Sequence, residues 1–510
     1  MIISLSVLVI TIIVSGTYAL YKTQLSKNIG VNTTTHGLAY YINYVKGTDI
    51  TAATLNPSTS YEGGASSDIE FWKKDDSYDI YGKIELTVNT IGTNLSNSPA
   101  LKYAVVNNGN VLKEGSLKGT TSGSKVTILK NLYLEQTKQI YTVYVWLDNS
   151  EELGNISNES LSISVDCTAS LQKEPTAADT IISLYTSAAK VTATNNSITY
   201  NTAPSVSLMN DRLGGTTTDL DGGNIRYYGA NPNNYIYFNC SDYSNQTSST
   251  CETWRIIGVF DGKLKLIKSE SIGAYSWDNK DTSTGAENDT GKNDWTTARL
   301  MKLLNPSNYY KVDSNDNNLG QSLYYNSASG KCYSGQNNAT VDCDFTSTGI
   351  KNAETRNMIA ETTYNLGGWN SNSVYSNQIY EYERGTTVYS GRPTTWKGKI
   401  ALAYPSDYGY AADLNQCKDK TLYDYDNRTC TSNNWMKAII TNNGSNTGWL
   451  LTPRSGSSSN AWYVNSGGFV SRDSIAYVAY GAVPVLSLSS ELGIESGGDG
   501  SSSKPYKLSA

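Results

Sequence analysis

Hydrophobic positions change character along the chain. Residues 2–21 (IISLSVLVITIIVSGTYALY) form one apolar run, long enough for a signal h-region or a membrane helix. From residue 34 to 168 the pattern shortens and alternates. Ile84, Leu86 and Val88 share one face of Lys83–Val88, and Leu161–Val165 alternates in the same way. Ile140–Leu147 (IYTVYVWL) alternates with apolar residues on both faces, which predicts a strand covered on two sides. Asn108-Gly109 separates Tyr103–Val106 from Val111-Leu112, a two-residue hairpin signal. Short strands with Gly, Asn and Ser turns at this spacing predict a β-sandwich over 34–168.

The stretch 169–224 reads as a helix and a linker. Thr176 with Asp179 three residues later marks a helix start, and Ile181, Ile182, Tyr185 and Ala189 supply an apolar side. A polar, Gly-rich segment then runs to Asn224. A second domain over 225–495 mixes both periods. Tyr235–Phe238, Trp254–Phe260, Lys263–Lys268 and Ile400–Tyr404 read as strands, and Asp261-Gly262 is a hairpin turn. Trp295–Leu304 and Ile350–Asn365, with Gly367 past its end, read as helices. Tyr309–Thr348 is a long polar insertion, and 496–510 is a Gly/Ser-rich tail, exposed over Ser496–Lys504, in which Pro505-Tyr506-Lys507-Leu508 can add a last strand. The fold class expected is mainly β with α+β, a sandwich followed by an α+β domain.

Within the second domain, Trp449–Leu488 (WLLTPRSGSSSNAWYVNSGGFVSRDSIAYVAYGAVPVLSL) concentrates candidate chemistry. It combines an apolar run, a Ser/Gly/Asn loop, an aromatic strand at Ala461–Val464, a Gly467-Gly468 turn and a closing strand at Val483–Leu488. Small hydrogen-bonding residues mixed with Tyr and Trp suit an adaptable binding surface, because aromatics give contact area at low entropic cost. The candidate ligand-binding residues are Arg454, Asn460, Trp462, Tyr463, Asn465, Arg472, Tyr477 and Tyr480. The plain alternative is a core hairpin with a polar loop, and by alternation half of the aromatics point inward.

Composition narrows the function classes. The 39 Tyr, 43 Gly and 17% charged residues suit a β-rich extracellular chain. A net charge of −6 lacks the basic footprint of a nucleic-acid binder. The single histidine, His36, excludes a His-based triad or a multi-His metal site within one chain. Seven cysteines include three neighbouring pairs, Cys240/Cys251, Cys332/Cys343 and Cys417/Cys430, with Cys167 left over. Behind an export-like segment this pattern predicts disulfides formed in an oxidising place, local pairing being preferred among the 15 connectivities. Asp313-Ser314-Asn315-Asp316-Asn317-Asn318 is rich in oxygen ligands, but Asn318 and Tyr324 stand where a calcium loop needs Gly and Glu. Asp219-Leu220-Asp221-Gly222-Gly223 is a weaker candidate, and no metal or cofactor is expected. No phosphate-binding loop, nucleophile elbow or zincin motif stands out.

Ser15-Gly16-Thr17-Tyr18-Ala19 offers small residues for cleavage after Ala19, within an export signal or membrane anchor over 1–33. No basic residues precede the run, whereas Lys22 and Lys27 follow it. The positive-inside rule then opposes the cysteine pairs, and an upstream start is the expectation. The segment resembles the export signal of TasA/camelysin-type surface and fibre proteins, where Gly-Thr-Tyr-Ala precedes the mature chain. That resemblance implies a jelly-roll module after it.

Trp449–Arg454 (WLLTPR), Ala461–Asn465 (AWYVN) and Tyr480–Leu486 (YGAVPVL), with Trp254–Gly258 (WRIIG) and Trp295–Asn305 (WTTARLMKLLN), resemble a bacterial, Firmicutes-type surface domain. Its fold is C-type-lectin-like and formylglycine-generating-enzyme-like, and the resemblance spans roughly 225–495, with Val483 where many members have Arg. It implies a lectin-like, disulfide-tied domain. Formylglycine-generating enzymes use cysteines near the domain end, and none follows Cys430 here, so that activity is not carried over. No Leu-Pro-x-Thr-Gly wall-sorting signal is present. The expectation is an exported or membrane-anchored cell-surface protein, not an enzyme, that binds an extracellular glycan or protein and serves adhesion. The alternatives are a subunit of a surface fibre and a carboxylate-based hydrolase.

Overall fold

The computed structural model describes residues 23–25, 41–51, 55–151, 153–156, 158–212, 223–243, 245–279, 290–311, 319–442 and 445–509. The apolar run, the cleavage motif, His36, the Asp313–Asn318 loop and most of the Asp219–Gly223 loop lie outside them. The chain is mainly β with α+β character, and it forms two compact units, Met1–Glu174 and Pro175–Ala510.

The first unit is a β-sandwich. Among the described residues one sheet runs Thr23–Leu25, Leu161–Ser170, Tyr81–Ile91, Lys125–Tyr133, and the other runs Ile42–Val45, Ala65–Lys73, Ile140–Asp148, Leu101–Asn107, Asn110–Ser116. Alternation explains the layering. Ile84, Leu86 and Val88 turn inward to meet Ile69, Phe71, Val143 and Val145 of the facing sheet. Asn108 and Gly109 both take positive φ (48° and 76°), as the expected two-residue hairpin requires. Ile140–Asp148 departs from expectation. Tyr141, Val143 and Val145 are buried, but Ile140 is 44% exposed on the other face. Among the described residues no second layer covers that outer face; Tyr61 shields part of it by packing on Tyr144 and Trp146. Cys167 is buried in the sandwich core, and its burial pushes the thiol well above its ordinary range.

The second unit starts earlier than its sequence indicates. The helix Ala177–Ser187 is capped by Thr176 and Asp179 in reciprocal hydrogen bonds, and Ile181 and Tyr185 are buried. The expected linker is a correction. Val191–Asn195, Ile198–Ala203 and Leu208–Asn210 pair in succession and continue into Ile225–Tyr227. Buried Ala193, Tyr200, Ala203, Leu208 and Met209 make this segment a sheet rather than a tether. Among the described residues the sheet has nine strands, extended through Glu252–Phe260, Lys263–Lys268, Val485–Ser487 and Ile400–Ala401, with Tyr235–Phe238 beside Glu252–Phe260. The Asp261-Gly262 turn forms as expected, with φ of 48° and 71°.

A second, five-stranded sheet holds Ala274–Ser276, Ala479–Gly481, Gly448–Pro453, Asn460–Val464 and Val470–Ile475. It lies between two apolar clusters. Trp449, Leu451 and Ala461 belong to one; Leu450, Trp462, Val464 and Val470 belong to the other. Burial on both faces explains the unbroken apolar run Trp449-Leu450-Leu451. The stretch Trp449–Leu488 is therefore not one hairpin, since Val485–Ser487 joins the larger sheet.

Two expected helices are shorter. The first spans Arg299–Leu304, because Asp294 Oδ1 holds the Thr296 amide and hydroxyl in a preceding turn. The second spans Ala353–Met358, capped by Asn352. Beyond it Thr362–Asn365 pairs with Thr395–Gly398, where β-branched Thr and Tyr favour a strand. The expected strand Ile400–Tyr404 stops at Ala401, and Tyr404 opens the helix Pro405–Tyr410, whose Asp407 accepts from the Tyr404 amide at 3.0 Å. The C-terminal tail docks. Leu508–Ser509 pairs with Gly493–Ile494, and Tyr506 exchanges backbone hydrogen bonds with Tyr235 and Tyr237.

The cysteines pair locally, Cys240–Cys251, Cys332–Cys343 and Cys417–Cys430. Three disulfides mark a chain that matures in an oxidising or extracellular environment. Among the described residues no helix is long and apolar enough to cross a membrane.

Candidate functional site

The loop between Gly448–Pro453 and Asn460–Val464 is fixed from below by one buried amide. Asn293 Nδ2 donates to the carbonyls of Arg454 (3.1 Å), Ser457 (2.8 Å) and Asn460 (2.8 Å). Its Oδ1 accepts from Arg392 Nε at 3.2 Å, and Arg392 Nη2 reaches the Ser458 carbonyl at 2.9 Å. The Ser/Gly/Asn composition that reads as flexibility thus encodes a polar loop with its carbonyls satisfied from the protein side.

Behind Asn293, the Asp278 carboxylate accepts from the backbone amides of Lys292 (2.8 Å) and Arg299 (3.3 Å). Burial raises this carboxyl to about 6, against the opposing pull of those amides and of Arg299.

On this support stands a polar surface cluster. Arg454 Nε donates to Asn370 Oδ1 at 2.7 Å, and its Nη1 reaches Asp473 Oδ1 at 2.8 Å. Arg472 Nη1 reaches the same oxygen at 2.7 Å, and Asn372 Nδ2 donates to Asp473 Oδ2 at 3.1 Å. Partial burial works to raise the Asp473 carboxyl, but the Asn372 hydrogen bond, Arg472 and Arg454 outweigh it and hold the group below its ordinary value. The Asp473 side chain keeps 45% of its exposure and Arg454 keeps 23%, so the cluster faces solvent.

Asn370 and Asn372 come from a loop that lies against the strand Gly448–Pro453. Trp369 bridges Arg454, and the Ser455 amide donates to the Trp369 carbonyl. A side chain at Gly368 would come within 2.2 Å of the Pro453 carbonyl, so this approach requires glycine. Trp369 stacks on Tyr382 with ring centroids 3.7 Å apart, giving the cluster a rigid aromatic neighbour.

The sequence candidates divide. Arg454 and Arg472 meet in the cluster. Trp462 is a correction: it is wholly buried among Leu450, Val464 and Val470. Its position in the strand turns it to the covered face, where it contributes packing and no ligand contact. Asn460 and Asn465 are engaged in the backbone frame. Asn460 Oδ1 accepts from Ser457 Oγ and Ser459 Oγ, while Asn465 Oδ1 accepts from the Gly468 amide and closes the turn. Tyr463 and Tyr480 pack on each other (5.5 Å), and Tyr480 also packs on Trp449 (4.8 Å), all three joined to the core. Tyr477 sits in the turn before Ala479–Gly481, where its carbonyl accepts from Ser276 Oγ.

Sequence reasoning missed Asn293, Asn370, Asn372, Asp473 and Trp369. The Gly367-Gly368 pair before Trp369 was the available signal, since adjacent glycines permit close backbone approach.

A second polar cluster is internal. Arg226 pairs with Asp211 (2.5 Å) and Asp407 (3.0 Å), and Lys265 pairs with Asp407 (2.5 Å). Burial opposes ionisation of Asp407, yet Lys265 and Arg226 hold its carboxyl below the ordinary range. Nearby, burial raises Glu383 to about 7 despite Arg384 and Ser406. Asp407 and Glu383 retain 1% and 0% of their side-chain exposure. These buried ion pairs tie Arg226, Lys265, Asp211 and Asp407 together inside the unit. Among the described residues no group of three or more His, Cys, Asp or Glu could hold a metal.

A cleft of about 320 Å³ opens elsewhere in the unit, between Asn224, Val259, Asp261 and Tyr380. Its Asn224 amide is already committed to Asp211 and to the Tyr380 hydroxyl.

No family model matches the chain, and no curated protein matches it. Among solved structures, it aligns with the receptor binding domain of botulinum neurotoxin mosaic serotype C/D, which carries a tetraethylene glycol molecule and a sulfate ion. The identity is 12%, over 50% of this chain and 74% of that one, with a TM-score of 0.15. A tryptophan-to-alanine mutant of HCR/D aligns at 11% identity over 52% of this chain and 76% of that one, also with a TM-score of 0.15. At such TM-scores neither alignment establishes a shared fold or a shared function.

Proposed function

We propose that the chain is an exported surface protein of bacterial type whose second, lectin-like unit binds an extracellular glycan or protein non-covalently and without turnover. The observation that carries this reading is the solvent-facing cluster in which Arg454, on a loop that Asn293 ties to the interior, meets Arg472 and Asp473 of the strand Val470–Ile475 and Asn370 and Asn372 of a second loop. Preorganised donors and acceptors lose little freedom when a ligand arrives. Three disulfides support the extracellular setting, and adhesion is the role we assign. The test is a glycan and host-protein array probed with the oxidised full chain and with an Arg454→Gln variant of matched stability. Selective signals that the variant loses support the reading, and a blank array from folded protein overturns it.

A fibre subunit is the second reading, favoured by the edge strand Asn110–Ser116 of the sandwich, where Val111 and Leu112 are each 43% exposed. Exposed apolar edge strands template pairing with another chain. Filaments of purified protein in electron micrographs, abolished by Val111→Lys, favour this reading, whereas monodisperse protein at high concentration removes it.

A further inference from the structure

We infer that the ligand presents an anionic group, a carboxylate or a sulfate, to the guanidinium edges of Arg454 and Arg472. This rests on the binding reading above and names the ligand chemistry. The charge count at the cluster is the first observation. Both guanidiniums converge on a single oxygen, Asp473 Oδ1, so within the cluster two cations share one anion. This local positive excess stands in a chain of net charge −6.

Donor supply is the second observation. A guanidinium carries five N–H donors and no acceptor. Arg454 spends Nε and Nη1 on Asn370 and Asp473, while Arg472 spends Nη1 on Asp473. Arg472 Nε is buried and out of a ligand's reach, so the donor supply rests on the Nη2 groups of the two side chains. The two side chains retain 23% and 18% exposure, which leaves guanidinium edges open to an incoming oxyanion. Planar donor forks of this kind recognise carboxylates and related anions with charge-assisted hydrogen bonds.

The sign of one substitution separates anionic from neutral ligands. A neutral sugar gains nothing from the loss of the Asp473 charge and loses the stronger carboxylate acceptor, so Asp473→Asn would leave its binding unchanged or weaken it. An anionic ligand is repelled by Asp473, so the same change would strengthen binding. Asp473 is half exposed, and the amide is nearly isosteric, so the variant keeps the fold.

The experiment applies the oxidised full chain to immobilised hyaluronan (carboxylates alone), dextran sulfate (sulfates alone) and neutral dextran, with salt elution. Retention on hyaluronan assigns a carboxylate, and retention on dextran sulfate assigns a sulfate. In either case Asp473→Asn should elute at higher salt, and Arg454→Gln should bind about tenfold more weakly. Passage through both acidic matrices overturns the inference, as does Asp473→Asn that elutes earlier. If the array finds a neutral ligand that Asp473→Asn loses, this inference fails while the binding reading stands. A blank array together with no retention fails both.

Discussion

Asn293 and Arg454 are 161 residues apart, yet the Asn293 side-chain amide donates to the Arg454 carbonyl at 3.1 Å. The same amide reaches the carbonyls of Ser457 and Asn460. A buried side chain thereby sets the backbone that presents Arg454 to solvent. Asn293→Ala should cost about 1–2 kcal/mol, because it removes the side-chain donor to three part-buried carbonyls, of which those of Arg454 and Asn460 keep a backbone donor. Chemical denaturation checks this, and a shift below about 0.5 kcal/mol would show that the loop holds its shape without the amide.

Trp462→Ala should behave as a core truncation. The side chain is wholly buried, so about 3–5 kcal/mol of stability should be lost. A denaturation midpoint unchanged from wild type would contradict the buried position.

Glu383 gives stability a pH dependence of determined sign. Burial raises its folded carboxyl from 4.5 to about 7. Between those values the unfolded chain ionises while the folded chain keeps its proton, so the folded state binds more protons and stability falls as pH rises. Below 4.5 both states are protonated, and above 7 the loss is complete. Asp278 adds the same sign between 3.8 and about 6. Glu383→Gln should flatten the upper part of the decline in urea midpoints from pH 5 to 8, and an unchanged slope would exclude Glu383 as its source.

The cysteines divide into two chemical classes. Peptide mapping without reductant should recover Cys240–Cys251, Cys332–Cys343 and Cys417–Cys430. Buried Cys167, its thiol pushed up by burial, should resist iodoacetamide until the sandwich unfolds. Removing one short-loop disulfide should cost about 2–3 kcal/mol. Rapid native labelling of Cys167 would contradict its placement.

Local signals carried most of the fold. The turns Asn108-Gly109 and Asp261-Gly262, the Thr176–Asp179 cap and the three cysteine pairs each depend on a few adjacent residues, and all are present. Where tertiary pairing decides, local pattern misled. Thr362–Asn365 has helix-compatible neighbours but finds a partner in Thr395–Gly398. The polar stretch after Ala189 resembles a linker, yet Val191–Asn210 pairs into a sheet edge.

The candidate site was legible only in part. Arg454 and Arg472 belong to a recognisable stretch, whereas Asn293, Asn370 and Asn372 reach it from distant loops, and no spacing along the chain announces such a meeting. Trp462 failed for a related reason: its five-stranded sheet is covered on both faces, so alternation could not tell an outer side from an inner one.

The most direct test of recognition at this face is calorimetric titration of the strongest array ligand into wild-type full chain and into Arg454→Gln, at equal folded fraction. The expected result is saturable one-site binding, with affinity about tenfold lower in the variant. Equal affinity of the two proteins would contradict a binding site at Arg454.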